Sequence, residues 1–271
     1  MKNASDMGFV KVAALSPAVT VANPEKNAGT ALSAIREAAA LGAQVMVLPE
    51  LHLSGYTCAD LFQQDRLIAR CEEAMGKILR ETAEIPALIA IGLPVRAFDA
   101  LYNCAAVLQS GKILGVVPKR YLPNYQEFYE KRWFASGNHI PGRDVTLCGE
   151  PVSFGAQLFR LGSLTVGVEL CEDLWVPIPP SSQMALAGAN LILNLSASNE
   201  LVAKNAYRRD LIANQSGRCI CAYAYASAGV GESTTDLVFA GHDMIAENGA
   251  LLAESRFTAG LTVSEIDVQK L

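Results

Sequence analysis

Short apolar runs alternate with segments of helical periodicity along the first part of the chain. The run VKVAALS (10–16) predicts an opening β-strand. Segment 23–42 then predicts an amphipathic helix, because Asn23 is a good N-cap, Pro24 suits the first helical position and Gly42 provides a stop. A strand followed at once by a helix indicates an α/β arrangement at this end of the chain.

Further along, the same pattern predicts both strand–helix units and β-hairpins. The remaining predicted elements are a strand at 44–50, a helix at 58–84, a strand at 87–95, a hairpin at 102–119, a loop-like polar region at 120–150, a hairpin at 156–170, a helix at 182–189, a strand at 190–198, a helix at 205–218, a strand at 219–228, a hairpin at 236–255 and a strand at 260–267. Hairpins do not fit a purely parallel sheet. Two mixed β-sheets packed face to face with helices outside, a four-layer αββα sandwich, fit better, and 1–271 is predicted to form one α/β domain.

Composition narrows the class of protein. Hydrophobic residues make up 51% of the chain and charged residues 18%, so a large packed core is expected. The net charge of −5 without a basic stripe argues against nucleic acid, and no apolar run is long enough to predict a membrane span. Seven cysteines and three histidines are scattered without metal-ligand spacing. We therefore predict a cytoplasmic protein with reduced cysteines and no metal site.

Three polar residues each follow a predicted buried strand. Glu50 follows VMVLP, Lys119 follows ILGVVP and Cys171 follows LTVGVEL. Ligands bind at the carboxyl ends of strands in α/β sheets, so these side chains could converge there. A thiol nucleophile, a carboxylate base and an ammonium that stabilises an oxyanion suit acyl transfer from an amide.

Each of the three residues also has an ordinary structural explanation. A single cysteine after an apolar run commonly packs as a small hydrophobic side chain. Glu50 and Lys119, taken one at a time, are typical of loop or surface charges. Spacing and composition alone leave both interpretations open.

Three sequence blocks resemble the signature blocks of the nitrilase, or carbon–nitrogen hydrolase, superfamily. They are LPELHLSGY with Glu50, VPKRYLPNYQEFYEKRWF with Lys119 and GVELCEDLW with Cys171. Longer matches, among them CEDLWVPIPPS and NLSASNE, resemble one branch, the N-terminal glutaminase domain of glutamine-dependent NAD⁺ synthetase. The resemblance extends along essentially the whole chain.

The resemblance implies hydrolysis of L-glutamine to glutamate and ammonia through a cysteine thioester, with ammonia passed to a synthetase domain that amidates deamido-NAD. It implies Cys171 as nucleophile, Glu50 as general base and Lys119 as oxyanion stabiliser. It further implies the substrate-binding residues Tyr56, Tyr125, Glu172, Ser198 and Lys204, although Arg208 or Arg209 could take the place of Lys204. A further glutamate often supports the lysine in this superfamily, and either Glu127 or Glu130 could match it.

The sequence departs from the full pattern of this branch. The synthetase domain would carry an SGGxDS loop, which these 271 residues lack. We therefore expect a chain without the synthetase domain and needing no cofactor of its own, since ATP, Mg²⁺ and deamido-NAD would bind the missing domain. By resemblance a homo-oligomer is expected. The alternatives are a free-standing amidase or nitrilase for another small amide, and a non-catalytic scaffold with the same fold.

Overall fold

A computed structural model describes residues 8–138, 140 and 142–271. Four α-helices accompany fourteen strands in the described part of the chain. The helices are α1 (Pro24–Ala40), α2 (Asp65–Glu81), α3 (Pro180–Leu186) and α4 (Lys204–Cys219). The strands are β1 (Phe9–Ser16), β2 (Val45–Val47), β3 (Leu88–Ala97), β4 (Ala100–Gln109), β5 (Lys112–Pro118), β6 (Arg143–Leu147), β7 (Glu150–Phe154), β8 (Phe159–Leu161), β9 (Leu164–Leu170), β10 (Leu191–Ser196), β11 (Ala222–Ser227), β12 (Asp243–Glu247), β13 (Ala250–Ser255) and β14 (Gly260–Asp267).

The strands form two mixed sheets. One has eight strands in the order β14-β1-β2-β3-β4-β5-β7-β6, and the other has six in the order β13-β12-β11-β10-β9-β8. Alternate residues of both sheets, such as Val12 and Val168, form one buried apolar cluster between them. Helices α1 and α2 cover the eight-stranded sheet, whereas α3 and α4 cover the six-stranded sheet. The predicted αββα sandwich is therefore confirmed.

Most predicted elements form where the pattern placed them. The Asn23 side chain accepts a hydrogen bond from the N–H of Lys26 and caps α1 as expected. The hairpin turn of β4 and β5 lies at Ser110 and Gly111, both with positive φ. No helix in the described part of the chain is long and apolar enough to cross a membrane.

Several predicted boundaries were wrong. The helix predicted at 58–84 is divided into a 3₁₀ helix at Ala59–Gln63 and α2, because Gln64 between them is extended. The region 120–150, predicted to be loop-like, contains β6 and the start of β7, which pair only with each other and with β5. Helix α4 continues through Cys219, so the strand predicted at 219–228 begins later, at Ala222. In the hairpin predicted at 236–255, only β12 and β13 are strands.

Candidate active site

Three strands from the two sheets bring the predicted triad together. Glu50 lies in the turn that follows β2, Lys119 directly follows β5, and Cys171 directly follows β9. Strand β2 is parallel to β3. Strand β5 also runs in the direction of β3, because β4 lies between them and is antiparallel to both. The carboxyl ends of β2 and β5 therefore share one edge of the eight-stranded sheet, and β9 of the facing sheet contacts β4 and β5 beside it.

The turn that carries Glu50 packs directly against β3 at Gly92. A Cβ atom at Gly92 would lie 2.3 Å from the backbone nitrogen of Leu51 and 2.4 Å from the carbonyl oxygen of Pro49. Since these are backbone atoms, any side chain at Gly92 would displace the Glu50 turn. Leu53 also donates its N–H to the carbonyl oxygen of Gly92 at 3.1 Å, which fixes the turn from its far side.

Lys119 is the centre of a buried cluster of charges. Its Nζ lies 2.6 Å from Oε1 of Glu50 and 2.7 Å from Oε1 of Glu130. Asn103 on β4 donates from Nδ2 to Glu50 Oε1 at 2.6 Å and to Glu130 Oε2 at 3.4 Å, and the hydroxyl of Tyr56 donates to Glu130 Oε1 at 2.8 Å. All of these side chains are buried. Among the described residues, the second carboxylate oxygen of Glu50 has no hydrogen-bond partner.

Burial and charge shift the acidities of this cluster in opposite directions. Burial alone lowers the pKa of Lys119, but the carboxylates of Glu130 and Glu50 more than offset burial and raise that pKa well above its usual value. Burial raises the pKa of Glu130 to about 7, although the Lys119 ammonium opposes the increase. Lys119 is therefore a permanent cation here, whereas Glu130 changes its charge near neutral pH.

Cys171 is buried at the same place but is not stored as a thiolate. Cys171 is only 7% exposed, and burial raises the pKa of its thiol to about 12. Glu50 raises this pKa further and Lys119 lowers it, so both charges lie within electrostatic range of the sulfur. The thiol is therefore neutral at rest, and a base must take its proton when it reacts.

The substrate-binding residues implied by the resemblance surround this cluster. The Tyr125 hydroxyl donates to both carboxylate oxygens of Glu172, at 2.9 and 3.1 Å. The Nζ of Lys204 lies 5.4 Å from the centre of the Trp175 ring and 5.7 Å from that of Phe128. Burial lowers the pKa of Lys204 and raises that of Glu172, whose pKa the positive charge of Lys204 lowers in turn. Opposite charges therefore lie close together beside the cluster.

The structure separates the alternatives that the sequence left open. Glu130 bonds Lys119, whereas Glu127 accepts a hydrogen bond from the Asn199 side chain, which in turn accepts one from Lys204. Arg208 is fully buried, and Arg209 forms an exposed ion pair with Glu254. Lys204 is therefore the basic side chain of α4 that reaches the rings beside the site.

Ser198 is buried and held by Arg208 rather than free. The Nη2 atom of Arg208 donates to the Ser198 hydroxyl at 3.2 Å and to the carbonyl oxygen of Asn199 at 2.8 Å. The Nη1 atom lies 2.7 Å from Oε1 of Glu200 and 2.8 Å from Nδ1 of His242. Arg208 thus supports the whole 198–200 segment from beneath.

Two asparagines in the site were missed from the sequence. Asn103 contacts Glu50 and Glu130, and Asn194 on β10 accepts the backbone N–H of Cys171 at 3.3 Å. Each is a polar residue inside an otherwise apolar strand, YNCAAVL and NLILNLS respectively. This contrast is the signal that would have found them, because a buried amide needs polar partners.

A cavity of about 560 Å³ opens beside the cluster. Its lining includes Tyr56, Glu127, Phe128, Trp133 and Leu237. Cys171 does not line this cavity, but Tyr56 connects the two, since its hydroxyl contacts Glu130. In the described residues no group of three or more histidine, cysteine, aspartate or glutamate side chains could hold a metal ion.

The αββα sandwich thus places a buried carboxylate–ammonium pair and a cysteine at the ends of three strands. The sequence profile of the carbon-nitrogen hydrolase family matches residues 11–271. The chain belongs to this family.

The relatives point to one group within the family. Glutamine-dependent NAD(+) synthetase of Mycobacterium bovis is 44% identical over 97% of this chain, and that of Mycobacterium leprae is 41% identical over 99%. The chain spans about 40% of the length of both relatives. A solved glutamine-dependent NAD(+) synthetase from Cytophaga hutchinsonii superimposes with a TM-score of 0.84 at 28% identity, covering 97% of this chain and 43% of that one. The matched region is homologous to the glutaminase part of these synthetases.

A shorter structural neighbour shares the fold. An amidase of the nitrilase superfamily from Nesterenkonia superimposes with a TM-score of 0.77 at 19% identity, covering 97% of this chain and 94% of the amidase. The likeness at this level of identity concerns the fold alone.

Proposed function

We propose that this domain hydrolyses L-glutamine to glutamate and ammonia through a thioester on Cys171, and that the ammonia serves a synthetase domain that amidates deamido-NAD. The observation that carries the proposal is the buried contact of Lys119 with Glu50 and Glu130 next to Cys171 in a chain 44% identical to glutamine-dependent NAD(+) synthetase. ATP, Mg²⁺ and deamido-NAD belong to the synthetase step and not to this site.

The proposed reaction begins with a neutral thiol. Glu50 takes the proton from Cys171 as the sulfur attacks the side-chain amide carbon, and its unpartnered carboxylate oxygen is available for that proton. The ammonium of Lys119 stabilises the negative charge that develops on the amide oxygen. Glu50 then gives the proton to the departing nitrogen, which leaves as ammonia and a thioester remains. Glu50 next accepts a proton from water as the water cleaves the thioester. Glutamate is released, and the proton passes from Glu50 to the departing sulfur, which restores the neutral thiol.

Selection for glutamine would come from the charges of Glu172 and Lys204. The α-amino group of the substrate fits the Glu172 carboxylate, which Tyr125 orients, and the α-carboxylate fits the Lys204 ammonium. Ser198 and Tyr56 add hydroxyl groups to the same surroundings. An amide without an α-amino acid head would leave Glu172 and Lys204 without an oppositely charged substrate group, which favours glutamine over other small amides.

The test is glutamate release by the wild type, by Cys171→Ala and by the control Cys148→Ala, whose cysteine is partly exposed and remote in sequence. We expect activity to be lost only in Cys171→Ala and to be unaffected by chelators. A panel of amides checks the substrate class, and labelling by a glutamine-like diazoketone, mapped by mass spectrometry, checks the nucleophile even when turnover is slow. Glutamate release at the wild-type rate by Cys171→Ala would refute the nucleophile, and preference for an amide lacking the amino acid head would refute the substrate.

A further inference from the structure

The backbone of Cys171 is held in an unfavourable conformation. Its φ is +41°, in the left-handed region, although it is not glycine and directly follows the buried strand β9. A residue with a side chain keeps this conformation only when its surroundings impose it. The direction of the sulfur depends on this backbone, so whatever holds the backbone also aims the nucleophile.

A chain of buried hydrogen bonds reaches the backbone of Cys171 from behind. Asn194 accepts the N–H of Cys171 on Oδ1 and donates from Nδ2 to the hydroxyl of Tyr223 at 2.9 Å. Tyr223 donates its own proton to Oε1 of Glu169. The other oxygen of Glu169 accepts the backbone N–H of Ser181 at 2.8 Å. Each of these side chains is at most 1% exposed.

Backbone N–H groups at both ends fix the direction of every bond in this chain. Because the N–H of Cys171 can only donate, the atom of Asn194 that faces it must be the oxygen. The amide nitrogen of Asn194 then donates to Tyr223, which leaves the Tyr223 proton for Glu169. The N–H of Ser181 can likewise only donate, so the Glu169 carboxylate accepts at both oxygens. No arrangement with a flipped Asn194 satisfies all of these groups.

The register of the sheet places these residues together on one face. Glu169 on β9 pairs directly with Asn194 on β10, and Tyr223 on β11 pairs with Ile192, two residues before Asn194. The opposite face of the same strands is apolar and packs against the eight-stranded sheet. On the face covered by α3 and α4, apolar side chains would pack equally well. Folding stability alone therefore does not account for the buried carboxylate of Glu169.

We propose that Asn194 is a positioning residue for Cys171 and that Tyr223 and Glu169 orient its amide for this purpose. The proposal deepens the proposed function and rests on Cys171 being the nucleophile. It assigns no contact with substrate to Asn194, Tyr223 or Glu169, and it predicts that their loss affects the chemical step more than substrate binding.

Three variants test the proposal in the full chain. Tyr223→Phe leaves the amide nitrogen of Asn194 without an acceptor and the Oε1 atom of Glu169 without a donor. Glu169→Gln turns an amide nitrogen toward Tyr223, because its oxygen must face the N–H of Ser181, so the proton of the Tyr223 hydroxyl loses its acceptor. The double variant removes the Tyr223 hydroxyl and its acceptor together. Tyr225→Phe is the matched control, because Tyr225 is equally buried on β11 and its hydroxyl forms no hydrogen bond with Asn194, Tyr223 or Glu169.

Two readouts separate positioning from a general structural effect. We expect kcat for glutamine to fall by about 10- to 100-fold in Tyr223→Phe and in Glu169→Gln with KM within about twofold, the size expected for a misplaced reacting group. The double variant should be no worse than the worse single variant, because all three act through one network. Alkylation of Cys171 by iodoacetamide, a small amide that requires no glutamine site, should slow by about tenfold in both single variants. Tyr225→Phe should retain wild-type values, and a melting temperature confirms that each variant is folded.

Failure of the proposed function and failure of the positioning role would give different results. If the wild type does not hydrolyse glutamine but iodoacetamide still separates Tyr223→Phe from Tyr225→Phe, the proposed substrate is wrong and the positioning role stands. If the two tyrosine variants alkylate at the same rate and have the same kcat, the positioning role is refuted. Tyr223→Phe and Glu169→Gln can each be compared with Tyr225→Phe independently. If one of them does not fold, the other still tests the positioning role.

Discussion

Glu130→Gln is the most informative single change in the charge cluster, because it removes a charge and keeps the shape. The carboxylate oxygen Oε1 of Glu130 accepts from Lys119 at 2.7 Å and from Tyr56 at 2.8 Å, and a glutamine carbonyl can accept both bonds. A hydrogen bond to a charged group contributes about 1 kcal/mol more than a neutral one. If Glu130 holds Lys119 where the oxyanion forms, losing that increment slows the reaction by about fivefold.

The rate difference between Glu130→Gln and the wild type should depend on pH. Burial raises the pKa of Glu130 to about 7, so Glu130 is mostly ionised at pH 8 and mostly protonated at pH 6. Below pH 7 the wild type therefore already carries the neutral side chain that Glu130→Gln imposes. We expect the variant to be about fivefold slower than the wild type at pH 8 and to differ little from it at pH 6.

Glu130→Gln should make the protein more stable at pH 8, although it makes the enzyme slower. The folded pKa of Glu130, about 7, exceeds its unfolded value, so its contribution to stability is full below about pH 4 and is lost as pH rises through 7. At pH 8 the ionised carboxylate therefore lowers the stability of the folded protein. Glu130→Gln removes that cost and should raise the melting temperature at pH 8 while it lowers kcat.

The assay is kcat for glutamine from pH 5.5 to 8.5, with thermal unfolding at the two ends, and Glu150→Gln on the exposed edge of β7 as the control. A slower but more stable variant at pH 8 supports positioning of Lys119 by the Glu130 charge. A rate ratio that does not vary with pH, or a variant that is both slower and less stable at pH 8, would refute this reasoning.

Two further changes test other buried groups. Arg208→Met removes the guanidinium that holds the Ser198 hydroxyl and the Asn199 carbonyl, so KM for glutamine should rise by about tenfold with a smaller change in kcat, and an unchanged KM in steady-state assays would contradict the support of this segment. Burial raises the pKa of Asp243 to about 8, so wild-type stability should decrease from about pH 4 to pH 8. Asp243→Asn should flatten that slope in urea unfolding at several pH values, and parallel curves for the two proteins would show that Asp243 does not titrate there.

The strands, and the placement of Glu50, Lys119 and Cys171 at their ends, could be predicted from the sequence because both depend on local pattern. The apolar runs before Glu50, Lys119 and Cys171 end abruptly in a polar residue, and a buried strand must end where its apolar run ends. Convergence of the three positions then required only that the strands share a sheet edge or face each other. The αββα fold supplies that arrangement, with β2 and β5 parallel in one sheet and β9 in the other.

The partners of these residues could not be predicted, because they are set by register between distant strands. Nothing near Asn103 in the sequence indicates that its amide meets Glu50, which lies 53 residues away, or Glu130. Glu127 and Glu130 were equivalent in the sequence, and the 3₁₀ helix at Glu130–Arg132 turns Glu130 toward Lys119. Strands β6 and β7 were missed for a related reason. Their exposed, polar positions reflect an edge of the sheet, where the apolar signal is weak.

The charges around Cys171 argue for a site that forms its nucleophile during the reaction. One ammonium faces two carboxylates, so the cluster bears a net negative charge whenever Glu130 is ionised, and this charge together with burial disfavours a thiolate. A stored thiolate would need a cation that is not already paired, and Lys119 is paired twice. In the proposed mechanism, transfer of the thiol proton to Glu50 at the moment of attack avoids that requirement and leaves the proton on the residue that would next protonate the leaving nitrogen. An amide needs that protonation because its nitrogen is a poor leaving group, so the same features that suppress the thiolate suit the site to carbon–nitrogen bond cleavage.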